Sequence, residues 1–151
     1  MLAIEQELLS DKLIPELDAL WHGYYASTPA HTDIPPYDFN WPMFLQLQAN
    51  DALLVLTARE NGELVGTALY IVMEHLHHRG FRIAVCDTLA VSKDHRGKGI
   101  GKALLRASED ALKSHEVKLM INGYRTCYNT KPVFEDVGMQ VWEHSYMKRI
   151  S

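Results

Sequence analysis

The first quarter of the chain predicts a strand, a helix and a long loop. Residues 2–8 alternate weakly between apolar and polar side chains, as in a short edge strand. From Leu13 to Tyr24 the apolar residues return every three or four positions, which is the spacing of one helical face. Four prolines interrupt residues 27–42, so we expect an ordered loop that leads into a short helix over residues 43–48.

The middle of the chain has the pattern of a β-hairpin followed by a buried strand. Residues 53–59 and 64–73 are rich in apolar and β-branched side chains, and Asn61 and Gly62 between them are typical of a two-residue turn. After a polar break over residues 75–80, residues 83–91 are apolar almost without interruption. Such a run is expected of a strand that is covered on both faces, near the centre of a sheet.

The second half of the chain alternates between helix and strand. Residues 100–112 place their apolar side chains on one face of a helix, and residues 117–121 predict a buried strand. Residues 130–137 predict a short helix, with Pro132 in its first turn and Gly138 at its end. We expect residues 139–150 to form a final strand.

Length and composition narrow the class of protein. The 151 residues fit one domain spanning residues 1–151, and a net charge of −4 argues against a nucleic-acid binder with a broad basic face. No apolar run approaches the length of a membrane span, so no membrane association is expected. The two cysteines, Cys86 and Cys127, lack the paired C-x-x-C spacing of a zinc or redox site. We therefore expect free thiols and a cytoplasmic protein.

The most informative segment is a glycine-rich turn between the buried strand and the amphipathic helix. Gly97, Gly99 and Gly101 occupy alternate positions, so their backbone N–H groups are not covered by Cβ atoms. These groups lie at the start of a helix, where the helix dipole favours an anion. The pattern predicts a site for a phosphate or pyrophosphate, although a tight structural turn is the simpler interpretation of glycines alone.

Two other phosphate-binding motifs fit this segment poorly. A P-loop requires a serine or threonine after its Gly-Lys pair, whereas Lys102 is followed by Ala103. A dinucleotide-binding motif requires a third small residue where Leu104 stands. Neither motif explains the segment.

The same residues resemble the signature of the GNAT family of acyl-CoA-dependent N-acetyltransferases. That signature is an arginine or glutamine, a glycine three positions later, and a glycine or alanine two positions after that. Arg96, Gly99 and Gly101 match it in full. The resemblance extends from about residue 53 to the end of the sequence, and residues 20–25 and 77–78 resemble phage-encoded members. It implies an α/β (α+β) fold with a mixed, mostly antiparallel central sheet flanked by helices.

The resemblance also implies a donor and a cofactor-binding segment. The donor is acetyl-CoA, the acceptor is a primary amine on a small molecule or peptide, and no metal takes part. The backbone near Leu89 and Val91 would pair with the pantetheine arm. The residues expected to contact coenzyme A are Leu89, Ala90, Val91, Arg96, Gly97, Lys98, Gly99, Ile100, Gly101 and Lys102. The acceptor, the acyl preference and the oligomeric state, a homodimer included, stay open.

Direct transfer needs a base, and Asp87 is the first candidate. It lies on the predicted central strand, two residues before Leu89, and a carboxylate on a buried strand is costly unless it is paired or functional. A structural aspartate is an equally good interpretation. Glu74, His75 and His78, at the end of the preceding strand, are further candidates, acting directly or through a water.

The proton donor for the departing thiolate is less well matched. At the position where the family commonly has a tyrosine, this chain has Phe134, which has no proton to give. Tyr128 is the substitute we favour, and Tyr124 is the second. Loss of the tyrosine also favours an alternative function, a non-catalytic acyl-CoA-binding or protein-interaction module with the same fold.

Two further groups of residues allow a functional and a structural interpretation. His75, His77 and His78 could ligate a metal, but no complementary ligand pair occurs, so a polar turn is preferred. The aromatic and proline-rich residues 21–41 either line the acceptor pocket or simply cover one end of the sheet.

Overall fold

A computed structural model describes residues 1–27, 35–124 and 131–151 of the chain. Five strands and four α-helices are formed in these ranges. In chain order the elements are β1 (Leu2–Gln6), α1 (Leu13–Ala26), α2 (Trp41–Ala49), β2 (Leu53–Glu60), β3 (Glu63–Glu74), β4 (Arg82–Val91), α3 (Ile100–Ser114), β5 (Leu119–Ile121) and α4 (Lys131–Asp136).

The five strands form one sheet in the order β1-β2-β3-β4-β5. Neighbours from β1 to β4 are antiparallel, and β5 is parallel to β4 because α3 carries the chain back between them. The expected mixed, mostly antiparallel sheet is therefore confirmed. The hairpin between β2 and β3 turns at Asn61 and Gly62, both with positive φ, as the sequence predicts.

Each face of the sheet is covered by helices. Alternate residues of β2 and β3, such as Leu54, Leu56 and Tyr70, pack with Leu104 and Leu112 of α3. On the opposite face, α1 and α2 bury a second cluster, which includes Leu17, Trp21, Val55, Leu69 and Ala90. This alternation along the strands fixes which side chains face each helix layer.

The N-terminus of α2 lies two residues earlier than the sequence suggests. We expected the helix to begin near Met43, but it begins at Trp41. The Asn40 side chain caps the helix by accepting a hydrogen bond from the Met43 N–H. Pro42 lies in the first turn, where backbone N–H groups have no acceptor within the helix, so the missing N–H of a proline costs no hydrogen bond. The proline was thus a start signal for the helix.

The expected strand over residues 139–150 is wrong. This segment has no regular structure, and from Gln140 onwards every residue is exposed. The chain leaves α4 through Gly138, at a φ of 85°, and the Met139 N–H bonds the Phe134 carbonyl at 3.0 Å. This arrangement is typical of a helix C-terminus.

None of the helices formed by residues 1–27, 35–124 and 131–151 combines the length and apolar character needed to cross a bilayer.

Candidate functional site

The glycine-rich turn connects the end of β4 to the start of α3. After Val91 the chain makes a short 3₁₀ turn over Lys93–His95 and enters α3 at Ile100. Gly97 and Gly99 have φ angles of 74° and 81°. A Cβ atom added to either residue would meet nothing within 4 Å. The glycines are therefore required by backbone conformation, and the space beside them is open.

The backbone N–H groups from Gly97 to Lys102 have no hydrogen-bond acceptor in the part of the chain that the structure describes. Gly99 is the N-cap residue of α3, and no side chain among the described residues caps the helix. An uncapped helix start concentrates partial positive charge at this point. The arrangement suits an anion with several oxygen atoms, such as a diphosphate.

Packing beneath the turn holds it against the sheet. A Cβ atom at Gly66 of β3 would lie 3.2 Å from the Ala90 carbonyl oxygen and 3.3 Å from Ile100, so a larger residue here would require the start of α3 to shift by a few tenths of an ångström. The His95 ring bridges Ser92, at 2.7 Å, and the Glu60 carboxylate, at 3.0 Å. The turn is therefore anchored on both β3 and β2.

The Arg96 guanidinium faces α1 and not the space beside the glycines. Its Nε donates to the Val91 carbonyl at 3.1 Å, and its Nη2 donates to the Ser27 hydroxyl at 2.8 Å. The guanidinium carbon also lies 5.2 Å from the centre of the Tyr24 ring. The side chain of Arg96, one of the residues expected to contact the cofactor, thus braces the turn against the end of α1.

The other residues that were expected to contact coenzyme A differ in their burial and in their side-chain contacts. Ala90 is buried beneath α1, whereas Leu89 and Val91 pack against the α3 layer. The Lys102 amine forms an ion pair of 2.9 Å with Asp136 of α4. Lys98 is exposed.

The edge of β4 that faces β5 is open over half its length. The two strands pair only from Ile83 to Val85 of β4, and they separate from Cys86 onwards. The backbone of residues 86–91 that faces away from β3 therefore has no strand beside it among the described residues. This edge leads directly to the glycine-rich turn. The chain thus offers a linear set of backbone groups for an extended arm and bare amides for its diphosphate, which fits coenzyme A.

Asp87 lies at a β-bulge where β4 and β5 separate. Leu69 of β3 pairs with Thr88 and the next residue, Tyr70, pairs with Cys86, so Asp87 has no partner on β3. A bulge redirects the extra side chain. Asp87 is exposed, and its carboxylate accepts a hydrogen bond of 2.8 Å from Thr88. The expectation of a buried carboxylate is corrected, because the bulge exposes Asp87 in the opening between the separated strands β4 and β5.

Aromatic residues of α1 and the segment before α2 lie beside Asp87. Burial raises the pKa of Tyr25 to about 12, and Thr88 is within hydrogen-bonding range of its phenol. The Tyr25 ring stacks on Tyr37, with ring centres 3.9 Å apart. Of the two interpretations of residues 21–41, lining of the opening is favoured for Tyr25, although Trp21 is buried in the core.

Sequence reasoning missed a polar group at the point where β4 and β5 separate. The Tyr70 hydroxyl donates to Asn122 Oδ1 at 3.1 Å and accepts from Asn122 Nδ2 at 3.0 Å. Burial raises the pKa of the Tyr70 phenol and that of the neighbouring Cys86 thiol, so both keep their protons at neutral pH. From the sequence alone Tyr70 is expected to be a core residue. The position of Asn122 directly after a strand is the one sequence signal that indicates a functional site.

The histidine-rich loop lies at the other end of the sheet. Glu74 pairs with Arg82, and Asp87 is five residues further along β4, which corresponds to about 17 Å. This distance argues against Glu74, His75 or His78 as a base that acts directly. Among residues 1–27, 35–124 and 131–151, no group of three His, Cys, Asp or Glu side chains is arranged to hold a metal.

Of the two candidate proton donors, Tyr124 is the one that belongs to the described residues. Tyr128 lies outside the described residues. Phe134 is buried, and its ring centre lies 5.8 Å from that of Tyr124, which is partly exposed. Tyr124 is therefore the phenol that the structure places beside the position of the missing tyrosine.

Comparison with known proteins identifies relatives of the whole chain. The sequence profile described as "Acetyltransferase (GNAT) family" matches residues 15–131. No curated protein sequence matches at a significant level. Among solved structures, ribosomal-protein-alanine N-acetyltransferase from Brucella melitensis biovar Abortus 2308 is 26% identical, with a TM-score of 0.75 over 98% of this chain and 99% of that chain.

Two more distant structures share the fold. An aminoglycoside acetyltransferase from an uncultured soil metagenomic sample is 18% identical, with a TM-score of 0.75 over 100% of this chain and 99% of that chain. Glucosamine-6-phosphate N-acetyltransferase from Arabidopsis thaliana is 15% identical, with a TM-score of 0.73 over 99% of both chains. These relatives give no support to the expectation of a phage-encoded type.

Proposed function

The chain belongs to the GNAT acetyltransferase family, and on this premise we propose that it transfers an acetyl group from acetyl-CoA to a primary amine. The observation that carries the proposal is the row of backbone N–H groups from Gly97 to Lys102, which have no acceptor among the described residues and lie at an uncapped helix start. These groups suit the diphosphate of coenzyme A. A helix start that served only the fold would be expected to carry a cap.

The open edge of β4 supports the position of the pantetheine arm. Beyond Val85 this edge has no neighbouring strand in the described part of the chain, so an extended amide-containing arm is able to add to it as a strand would. The Val91 carbonyl already accepts a hydrogen bond from Arg96. The pairing therefore rests on residues 86–90, with Leu89 near its middle.

Acetyl-CoA supplies an activated acyl thioester, and the residues of this chain supply the proton transfers. Asp87, exposed at the bulge, would accept a proton from the acceptor ammonium, directly or through a water, and so produce the nucleophilic amine. Backbone N–H groups on the open edge of β4 would stabilise negative charge on the acyl oxygen. The amine nitrogen then bonds to the acyl carbon, the bond from that carbon to sulfur breaks, and the nitrogen releases its surplus proton to water, which leaves a neutral amide.

The departing sulfur needs a proton, and two tyrosines are candidates. Tyr128 remains our first candidate from the sequence. Tyr124 is supported by its position, since its ring lies 5.8 Å from that of Phe134. Of the two, Tyr124 is therefore the one that the geometry of the described residues supports.

A second function, acyl-CoA binding without transfer, is favoured by one observation. Phe134 occupies the place of the family's usual tyrosine and is buried. Its side chain therefore contributes to packing but has no proton to donate to the departing sulfur. A binding module would keep the bare amides and the open strand edge. It would lack amine-dependent turnover.

The two functions are separated by an assay of thiol release from acetyl-CoA. The purified protein is mixed with acetyl-CoA and with panels of amines, amino acids, polyamines, aminoglycosides and peptides, and free coenzyme A is followed with a thiol reagent. We expect at least one amine to raise thiol release well above the rate without acceptor. Tight binding of coenzyme A with no stimulation by any panel would favour the binding module, and no binding would contradict both functions.

A further inference from the structure

Three residues on neighbouring strands form a row across the sheet at the point where β4 and β5 separate. Tyr70 of β3 pairs with Cys86 of β4. The last pair between β4 and β5 joins Val85 to Ile121, so Cys86 and Asn122 are the residues directly after it in the chain. Tyr70, Cys86 and Asn122 therefore follow one another across β3, β4 and the end of β5. This row marks the closed end of the opening.

A pair of hydrogen bonds joins the two ends of the row across the middle strand. The Tyr70 hydroxyl lies 3.1 Å from Asn122 Oδ1 and 3.0 Å from Asn122 Nδ2. Strands two places apart in a sheet are about 10 Å apart, so the backbone groups of β3 and β5 are too far from each other to bond. The side-chain pair is therefore a direct connection between β3 and the end of β5, and it passes the Cys86 side chain.

One end of this pair is fixed in the core, and the other end borders the opening. Tyr70 is 0% exposed, and its phenol is also within hydrogen-bonding range of Ser108 on α3, which is fully buried. Asn122 is partly exposed, and no other described residue bonds its side chain. A carboxamide has two N–H groups and two acceptor positions, of which one hydroxyl satisfies at most one each. Asn122 therefore keeps a donor and an acceptor for a molecule in the opening.

Asp87 lies at the same end of the opening. It follows Cys86 directly and is exposed at the bulge. An arm that extends along the open edge of β4, with its diphosphate at the start of α3, would reach this end with its thioester. The carboxamide of Asn122 and the carboxylate of Asp87 would then both lie where the thioester stops.

We propose that Asn122, held in place by Tyr70, fixes the thioester end of the acetyl-CoA arm beside Asp87, an inference that rests on the proposed function. Asn122 contacts the end of the arm, and Tyr70 is a positioning residue that acts through Asn122. Without the Tyr70 hydroxyl, the end of β5 is held to the sheet by its three residue pairs with β4 and should fray. The thioester would then be poorly oriented while the diphosphate stays bound, so turnover should fall more than affinity.

Disulfide trapping tests the position of Asn122. Asn122→Cys is mixed with the pyridyl disulfide of coenzyme A, which transfers its coenzyme A sulfur to a neighbouring thiol and releases pyridinethione. Mass spectrometry should show one coenzyme A on the variant, formed at least about tenfold faster than the product with the pyridyl disulfide of glutathione. The unmodified protein is the control for Cys127 and for Cys86, whose pKa is raised by burial. Equal rates with the two reagents would overturn the proposal.

A cycle of two substitutions tests whether Tyr70 acts through Asn122. Tyr70→Phe should lower kcat about three- to tenfold, which corresponds to one hydrogen bond, and should leave coenzyme A affinity within about twofold. The same change should have no further effect in Asn122→Leu, because the bond is already absent there. Independent losses that simply multiply, or a loss of affinity equal to the loss of kcat, would show that Tyr70 has only a structural role.

Thr67→Val is the matched control for the loss of a buried hydroxyl. Thr67 lies on the same strand as Tyr70, but its hydroxyl donates to the Leu56 carbonyl of β2 at 2.9 Å, away from β5. The change should leave kcat and coenzyme A affinity unaltered. Trapping requires only that coenzyme A binds, so trapping without amine-dependent turnover would contradict the proposed function alone. Turnover without trapping would overturn this inference alone, and absence of coenzyme A binding would overturn both.

Discussion

The Arg96 guanidinium donates a hydrogen bond of 2.8 Å to the Ser27 hydroxyl at the end of α1. The same group lies over the Tyr24 ring and bonds the last carbonyl of β4. The arginine of the signature thus connects the glycine-rich turn to the helix that carries Tyr25, next to Asp87. We infer that its side chain holds the glycine-rich turn in place beside α1.

Arg96→Ala should therefore change coenzyme A affinity by less than about threefold. A charged hydrogen bond lost from a diphosphate would cost about 1.5–3 kcal/mol, which is tenfold or more in affinity. The matched variant is Lys98→Ala, whose exposed amine is free to reach the diphosphate and whose loss should have the larger effect. Isothermal titration of both variants with coenzyme A decides the ranking. A tenfold loss in Arg96→Ala would show that the guanidinium leaves Ser27 and binds the diphosphate.

Asp87→Asn should lower kcat by at least a hundredfold and leave coenzyme A affinity unchanged. The amide keeps the size of the side chain and its contact with Thr88 but cannot accept the proton of an ammonium. Turnover is followed by thiol release from acetyl-CoA, and coenzyme A affinity by calorimetric titration.

The control for Asp87→Asn is Asp110→Asn on the exposed face of α3, which changes the net charge equally. It should leave the rate unchanged. If Asp87→Asn keeps a kcat within about tenfold of that of Asp110→Asn, Asp87 is a structural residue of the bulge.

Arg59 links three parts of the fold, and its ion pairs should make the free energy of unfolding depend on pH in the acidic range. Its guanidinium bonds Glu7 at 2.8 Å and Glu16 at 2.6 Å. Hydrogen bonds from Arg59 are the main cause that lowers the pKa of both carboxyl groups below the ordinary value of 4.5. The stabilisation is fully present above pH 4.5 and is lost as pH falls through the lowered pKa values, because the native carboxylates must then take up protons.

Arg59→Met should lower the free energy of unfolding by about 1–3 kcal/mol at pH 7, since it leaves two partly buried carboxylates without their partner. The difference from the unmodified protein should shrink towards pH 3. Urea unfolding followed by tryptophan fluorescence at several pH values measures it. Lys113→Met, which breaks an exposed pair with Glu109, is the control and should have no measurable effect. A difference that is constant with pH would contradict this explanation.

The order of elements and the glycine-rich turn could be predicted because local signals determine them. Asn61 and Gly62 specify a hairpin turn, and the residues from Ile100 onwards have a clear helical period. Such signals depend on neighbours in sequence. They also gave the helix start at which the bare amides occur.

The features that complete the site depend on contacts between residues that are distant in the sequence. Local sequence patterns therefore could not predict them. The bulge at Asp87 follows from the register of β4 on β3, and the pair between Tyr70 and Asn122 joins residues 52 positions apart. The final strand over residues 139–150 was predicted from the residue types of the segment alone. Residue types make a segment able to form a strand but do not supply a partner, and residues 140–150 have no strand partner among the described residues.

The most direct test of the central claim uses a pair of substitutions of equal size at Gly99. Asn tolerates a positive φ better than most residues, so Gly99→Asn tests the added side chain, while Gly99→Asp adds a negative charge beside the bare amides. Gly62→Asp, at a φ of 87° in the hairpin between β2 and β3, controls for strain and net charge far from the site.

Calorimetric titration with coenzyme A gives the answer. We predict that Gly99→Asp weakens binding at least tenfold more than Gly99→Asn, because a carboxylate would repel the diphosphate and compete for its amides, and that Gly62→Asp binds like the unmodified protein. Equal affinity of Gly99→Asp and Gly99→Asn would mean that the diphosphate lies elsewhere, and the account of the glycine-rich turn would be wrong.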